Sequence, residues 1–176
     1  MRSFATGVTL VTTSVGAADV AMTANSFLSI SLDPLIVSLC ARKDGRWARA
    51  ARTGQHFVVN VLAEHHEEVA RTFARSSRPQ DDRPLLEGLA HYRCPHTSAV
   101  VLDDALATVH CAVLGMYDVG DHVAVLGNVV DATVNQDASP LLFLGGCYTR
   151  LGDGAAETCD TWSAIETGRE RIRLAQ

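Results

Sequence analysis

Thirteen consecutive residues, Met22-Thr23-Ala24-Asn25-Ser26-Phe27-Leu28-Ser29-Ile30-Ser31-Leu32-Asp33-Pro34, interleave short polar side chains with apolar ones. Thr, Asn and Ser supply compact donors and acceptors, and Ala24 lets a flat ligand reach the backbone. A heteroaromatic ring such as an isoalloxazine needs that kind of wall: donors for its carbonyls and ring nitrogens, with apolar surface behind. The same composition marks a strand with Ser/Thr turns, and composition alone favours the turn. A second run, residues 42–52, holds Arg42, Lys43, Arg46, Arg49 and Arg52 against the single anion Asp44, with Trp47 among them. Read as a helix after a strand, it lines up Arg46, Arg49 and Arg52 on one face. Its free N–H groups and cations suit a phosphate, and Trp47 offers a ring for stacking. A solvated helix face has the same signature. Gly120-Asp121-His122 opens a β run with a histidine that can orient or polarise a bound group near neutral pH, or simply hydrogen-bond at the surface. Gly145-Gly146-Cys147-Tyr148 pairs two glycines that admit close backbone approach, or form a plain turn.

Several standard chemistries are excluded. There is no G-x-G-x-x-G, because Gly152-x-Gly154 meets Glu157 at the third position, and no G-x-x-x-x-G-K-[ST]. His65-His66-Glu67-Glu68 is not H-E-x-x-H. Cys40, Cys94, Cys111, Cys147 and Cys159 are odd in number and lack C-x-x-C spacing, so neither a metal site nor a disulfide framework is expected. Cys40 and Cys111 lie in apolar runs and read as buried small hydrophobes.

The elements that must position these groups are mostly short β runs. Residues 4–14, 34–42, 56–62, 105–117, 122–134 and 140–144 read as strands, the fourth and fifth joined through a turn at 118–121. Helical patterns cover 44–52, 67–74 with Val69, Ala70 and Phe73 on one face, and 161–174. Many strands, few helices and no βαβ alternation predict a mainly β, closed or sandwiched domain. A chain of 176 residues, 47% hydrophobic and of formal charge −5, fits one globular domain with a proper core. The acidic total argues against a nucleic-acid partner. Residues 1–83 are nevertheless net positive and 84–176 strongly negative. The first seven residues have no apolar signal core, and no run of 18 apolar residues occurs, so a cytoplasmic protein with no membrane partner is expected.

In this order and spacing, these blocks resemble the flavin reductase family with the FMN-binding split-barrel fold, the reductase component of two-component flavin-dependent monooxygenases. The resemblance spans about residues 4–151 and is carried by Phe4-Ala5-Thr6-Gly7-Val8-Thr9, the 22–34 block, Phe57-Val58-Val59-Asn60-Val61-Leu62, Phe73-Ala74, Gly120-Asp121-His122 and Gly146-Cys147-Tyr148. It implies a six-stranded antiparallel Greek-key barrel with a few flanking helices over 1–151; residues 152–176 lie outside the resemblance and read as a C-terminal extension with the helical pattern noted above. It implies hydride transfer from NADH or NADPH, NADH being the preferred reading, to free FAD or FMN, and delivery of reduced flavin by a homodimer to a monooxygenase component. A non-catalytic flavin- or heme-binding protein of the same fold is the alternative. Carried over, Thr23, Ala24, Asn25 and Ser26 border the flavin ring and ribityl chain, with Ser29, Ser31 and Leu32 near the ring. Cys40, Ala41, Arg42, Lys43 and Trp47 meet the phosphates or adenylate. Phe73 and Arg83 close over the flavin. His122 sits beside the nicotinamide as the catalytic residue, with Gly146 and Tyr148 at the same pocket. Two positions depart from the family pattern: Arg83 is followed by Pro84 rather than Phe, and Cys147 replaces an Arg.

Overall fold

The computed structural model describes residues 3–79, 81–135 and 138–152, together with the backbone of Glu170–Ile172. Seven strands form one antiparallel path, ordered β3-β2-β6-β9-β10-β5-β4. These are β2 (Thr9–Val15), β3 (Ala18–Ala24), β4 (Leu28–Leu32), β5 (Leu35–Arg42), β6 (His56–Val61), β9 (Ala107–Val119) and β10 (His122–Val134). Hairpins β2–β3, β4–β5 and β9–β10 are stitched together by the non-sequential pairings β2–β6, β6–β9 and β5–β10. The six strands from β3 to β5 make the expected barrel. Its two end strands approach each other without pairing, so the barrel is split along that seam. A small sheet of β1 (Thr6–Gly7), β11 (Leu142–Leu144) and β12 (Cys147–Thr149) and a hairpin of β7 (His91–Arg93) and β8 (Val100–Leu102) flank it.

The long β9–β10 hairpin forms because both strands are rich in β-branched residues and a turn at Gly120-Asp121 separates them. Gly120 takes φ +60°, which a side chain resists. Two register shifts, at Leu126/Gly127 and Val129/Asp131, bend this hairpin around the core. Gly127 is required there: a Cβ would lie 2.5 Å from Phe57 Cζ.

Helix α1 (Arg46–Gly54) buries Trp47, Ala48 and Ala51 in the barrel interior, against Phe57, Leu39 and Val11. Arg49 and Arg52 point outward, as the periodicity requires, while Arg46 is largely buried against Asp82. Helix α2 (Glu67–Ala74) sends Ala70 and Phe73 into a second core with Leu10, Ala21 and Leu62. A short helix α3 (Arg83–Leu86) adds Leu86 to that core.

Most expected elements are present, with edges moved by at most two residues and the run at 4–14 broken at Val8. Strand β3, the β7–β8 hairpin and α3 were not anticipated. Cys111 is buried as expected, but Cys40 is exposed at the seam. In the C-terminal stretch Glu170–Ile172 is a strand, β13, paired antiparallel with β10 rather than part of a helix. The remainder of the helix expected over 161–174 lies outside the described residues.

Candidate functional site

A groove of about 550 Å³ opens at the split seam. The end of β3 with its exit (Thr23, Ala24, Asn25, Ser26) walls one side, and the end of β5 (Cys40, Ala41, Arg42) the other. The start of α1 (Gly45–Ala48), the end of α2 with its following loop (Phe73–Ser76, Arg78) and His122 complete it. Ten of the positions drawn from the sequence therefore meet in one place: Thr23, Ala24, Asn25, Ser26, Cys40, Ala41, Arg42, Trp47, Phe73 and His122.

The hydroxyls of the 23–26 segment mostly hold the seam. Thr23 donates to the Ala70 carbonyl at 2.7 Å, tying β3 to α2. Ser26 Oγ accepts from the Cys40 N–H at 2.9 Å and donates to the Cys40 carbonyl at 3.2 Å, a staple between the two barrel edges. Asn25 is different. It is exposed, and its side-chain amide has no hydrogen-bond partner among the described residues. Both a donor and an acceptor are thus available to a ligand in the groove. Trp47 serves the scaffold more than a stacking surface: it is 3% exposed and packs edge-on to Phe57 with centroids 5.8 Å apart.

The cations of 42–52 are largely engaged. Arg42 grips Asp44 through two bonds of 3.1 Å, which raises the Arg42 pKa and lowers that of Asp44. Arg49 donates to the Asp44 carbonyl, and Arg52 meets Asp118 at 3.0 Å. Arg46 reaches the Pro79 carbonyl and the carboxylate of Asp82 at 3.1 Å. Asp82 is fully buried and also binds Arg78 at 2.9 Å and the Ala21 N–H at 2.9 Å. Burial lowers the Arg78 pKa, the nearby Asp82 charge opposes this, and Arg46 adds to the lowering. Arg78 further caps the carbonyls of Ala21 and Phe73 and stacks over the Phe73 ring. One carboxylate therefore suspends the loop that forms the groove's far wall. Sequence reading placed Arg46 among the phosphate-suited cations of 42–52 but missed Arg78 and the buried carboxylate the two share, which lies 36 residues from Arg46. The basic run at 71–78, with Phe73 at its centre, was the available signal.

His122 pairs with Arg42 in the β10–β5 register, and its Nδ1 lies 2.8 Å from Asp121 Oδ1. An ionised carboxylate only accepts, so Nδ1 carries the proton and Nε2 remains for a bound group. The hydrogen bond and charge of His122 hold the Asp121 carboxyl below its usual value.

A smaller pocket of about 160 Å³ adjoins the groove, sharing Thr23, Ala24, Asn25 and Ala74 and adding Phe143 and Tyr148. Burial pushes the Tyr148 hydroxyl's pKa up, although Arg71, stacked over the ring at 5.0 Å, opposes it. Gly146, at φ +92°, forms the β11–β12 turn leading to Tyr148. The other positions lie outside both linings. Lys43 stands just beyond the groove mouth, its N–H on the Asp121 carbonyl at 3.1 Å. Ser29, Ser31 and Leu32 lie on β4, the edge beyond β5, where Leu32 is 81% exposed. Arg83 turns to buried Asp19 at 3.4 Å as α3 begins, with Pro84 in that helix's first turn.

Among the described residues one cluster has metal-ligand types: His65, His66 and Asp104. His66 Nδ1 accepts the Ala63 N–H at 3.2 Å, so its Nε2 bears the proton and donates to Asp104 at 2.9 Å. The lone pair that a metal needs is committed elsewhere.

A split antiparallel barrel with a ring-sized groove at its seam and no dinucleotide-fold cradle defines a class of flavin-handling barrels. The chain belongs to the flavin reductase like domain family, whose model matches residues 1–152. It is 36% identical over 156 residues to an NADH-dependent FAD reductase of Streptomyces globisporus, covering 88% of this chain and 84% of that one. It is 35% identical over 152 residues to the reductase subunit of a flavin-dependent monooxygenase of Rhodococcus jostii, covering 86% and 74%. The crystal structure of the flavin reductase component of a bacterial two-component tryptophan halogenase superposes with TM-score 0.81 at 36% identity, covering 86% of this chain and 94% of that one. The non-catalytic alternative is not favoured by these relatives. Among the described residues no helix is long and apolar enough to cross a membrane.

Proposed function

We propose that this chain is an NADH-dependent flavin reductase that takes free FAD or FMN into the seam groove and hands the reduced flavin to a partner flavin-dependent monooxygenase. The observation that carries the reading is the groove itself. It offers an unspent amide at Asn25, an uncapped α1 N-terminus at Gly45, and a surplus of positive charge. The flavin supplies the hydride-accepting ring system. The chain's residues do the positioning. Asn25 bonds the ring edge, and the first turn of α1 receives the phosphate end. The neighbouring Phe143–Tyr148 pocket offers a second planar ring a place beside the first. His122, oriented by Asp121, faces the groove and not that pocket, so its Nε2 meets the part of the second substrate that crosses the groove. Bringing two rings to within about 3–3.5 Å is the principal catalytic service, because the transfer needs no protein acid or base.

The working unit of this reading is a homodimer in the cytoplasm. Leu28, Ile30 and Leu32 on edge strand β4 are 59%, 50% and 81% exposed, and Tyr117 and Val119 on the β9 end are 58% and 61% exposed. Such apolar area on a sheet edge calls for a cover, and a second copy there brings Ser29, Ser31 and Leu32 to a site completed across the interface. The test is steady-state NADH oxidation with FAD and FMN supplied separately, alongside sedimentation of the wild type and Leu32→Asp. Absence of flavin-stimulated NADH loss refutes the activity, and a wild type that sediments as a monomer refutes the dimer.

A further inference from the structure

The groove's charge is unevenly committed. Arg42 is matched by Asp44, and Arg46 and Arg78 share the single charge of Asp82. Arg75 also lines the groove, is exposed, and its guanidinium has no partner among the described residues. Its backbone is nevertheless fixed at both ends. It is the residue after α2, its N–H donates to the Thr72 carbonyl at 3.4 Å, and its carbonyl accepts from Arg78 Nε at 2.8 Å. Arg78 is in turn anchored on Asp82, so the root of Arg75 is tied to the buried core of the wall. Ser76, next in the chain, lines the groove with a hydroxyl that has no partner among the described residues. Summed over these groups, the groove carries about two unbalanced positive charges. That matches a phosphomonoester near pH 7, about −1.5 to −2, and equally a diphosphate diester.

Resting on the reductase reading, we propose that Arg75, assisted by Ser76, is the residue by which the groove selects phosphorylated flavins over riboflavin. The charges of the other groove cations are already countered by the protein's own carboxylates, so a phosphate there competes with Asp44 or Asp82. Arg75 gives up only water. It stands at the end of a helix rather than within a packed element, so replacing it leaves the core intact.

The experiment measures dissociation constants of riboflavin, FMN and FAD by flavin fluorescence, and KM with each flavin, for wild type, Arg75→Gln and Arg75→Lys. Loss of one charge-assisted contact predicts about tenfold weaker FMN and FAD binding in Arg75→Gln. Riboflavin binding and kcat should stay unchanged, and Arg75→Lys should recover part of the loss. The preference of the wild type for FMN over riboflavin should also shrink with added salt, and that of Arg75→Gln should shrink less. Equal weakening for all three flavins, or none for FMN and FAD, overturns the proposal. So does a rise in KM for NADH alone, which would place Arg75 on the other substrate. Failure of the reductase reading is distinguishable: the wild type would then oxidise no NADH with any flavin, while the binding ratios still report on Arg75.

Discussion

Replacing Asp82 by Asn keeps the volume and the acceptor for the Ala21 N–H, yet removes the one carboxylate that, among the described residues, binds Arg46 and Arg78. Those guanidinium side chains are 14% and 9% exposed and Asp82 is 0% exposed, so solvent screens the trio little. Removing one member of a buried ion pair costs about 3–5 kcal/mol. Four carbonyls already help here, Pro79 for Arg46 and Ala21, Phe73 and Arg75 for Arg78, which places the loss at the lower end, about 3 kcal/mol. For a domain of this size about 2–4 °C is lost per kcal/mol, so the melting temperature should fall by about 6–12 °C. Thermal denaturation followed by circular dichroism reads this directly. Adding Arg46→Gln to Asp82→Asn should return part of the loss, because it removes one of the two stranded charges. A single variant melting within about 2 °C of wild type, or a double variant that loses the full sum of the two single effects, would refute the idea that one carboxylate suspends the far wall.

Three further outcomes are expected. Gly127→Ala forces a Cβ to 2.5 Å from Phe57 Cζ and 2.9 Å from Cys111 Cβ, and should cost about 1–3 kcal/mol in urea unfolding; an unchanged midpoint would show that the strand yields freely. His66 is 5% exposed. Burial lowers its pKa, against the opposing charge and hydrogen bond of Asp104, so the unfolded chain binds this proton more readily. Stability should therefore be complete above the ordinary histidine pKa of about 6.5 and decline as pH falls below it. His66→Gln, which can still accept the Ala63 N–H, should flatten that decline; an identical pH slope in the variant would exclude His66 as the source. His122→Ala should lower kcat by about 10- to 100-fold without abolishing turnover, since it orients a substrate rather than moving a proton, and wild-type rates at every NADH concentration would exclude that role.

Sequence reading captured what local pattern encodes. The runs at 34–42, 56–62 and 122–134 were legible because apolar β-branched residues sit between turn formers, and 67–74 because Val69, Ala70 and Phe73 repeat at helical spacing. Strand β3 was not, because Ala18, Ala21 and Ala24 dilute its β signature, and its partner lies across a tight turn at Gly16. The residues at 23–26 that line the groove were singled out by type, but type did not separate their duties. Ser26 and Thr23 resemble Asn25 in a list of polar groups, yet two of them hold the scaffold and one remains open. The same holds for the cations of 42–52. Their density was visible, but Asp82, which takes Arg46, and Asp118, which takes Arg52, are brought in by tertiary folding and leave no local mark. Arg75 was overlooked for the complementary reason: nothing in the sequence tells an uncommitted arginine from a committed one.

The suspended far wall has an evolutionary corollary. Its attachment depends on buried Asp82 and largely buried Arg78, whereas the positions that meet a ligand there, Arg75 and Ser76, are exposed. Substitutions at the exposed pair should typically alter stability by no more than about 0.5 kcal/mol. The wall can therefore drift in charge while its anchor is kept under strict selection. Descendants of one scaffold could exchange preferences among differently charged ligands by single steps, without passing through unstable intermediates.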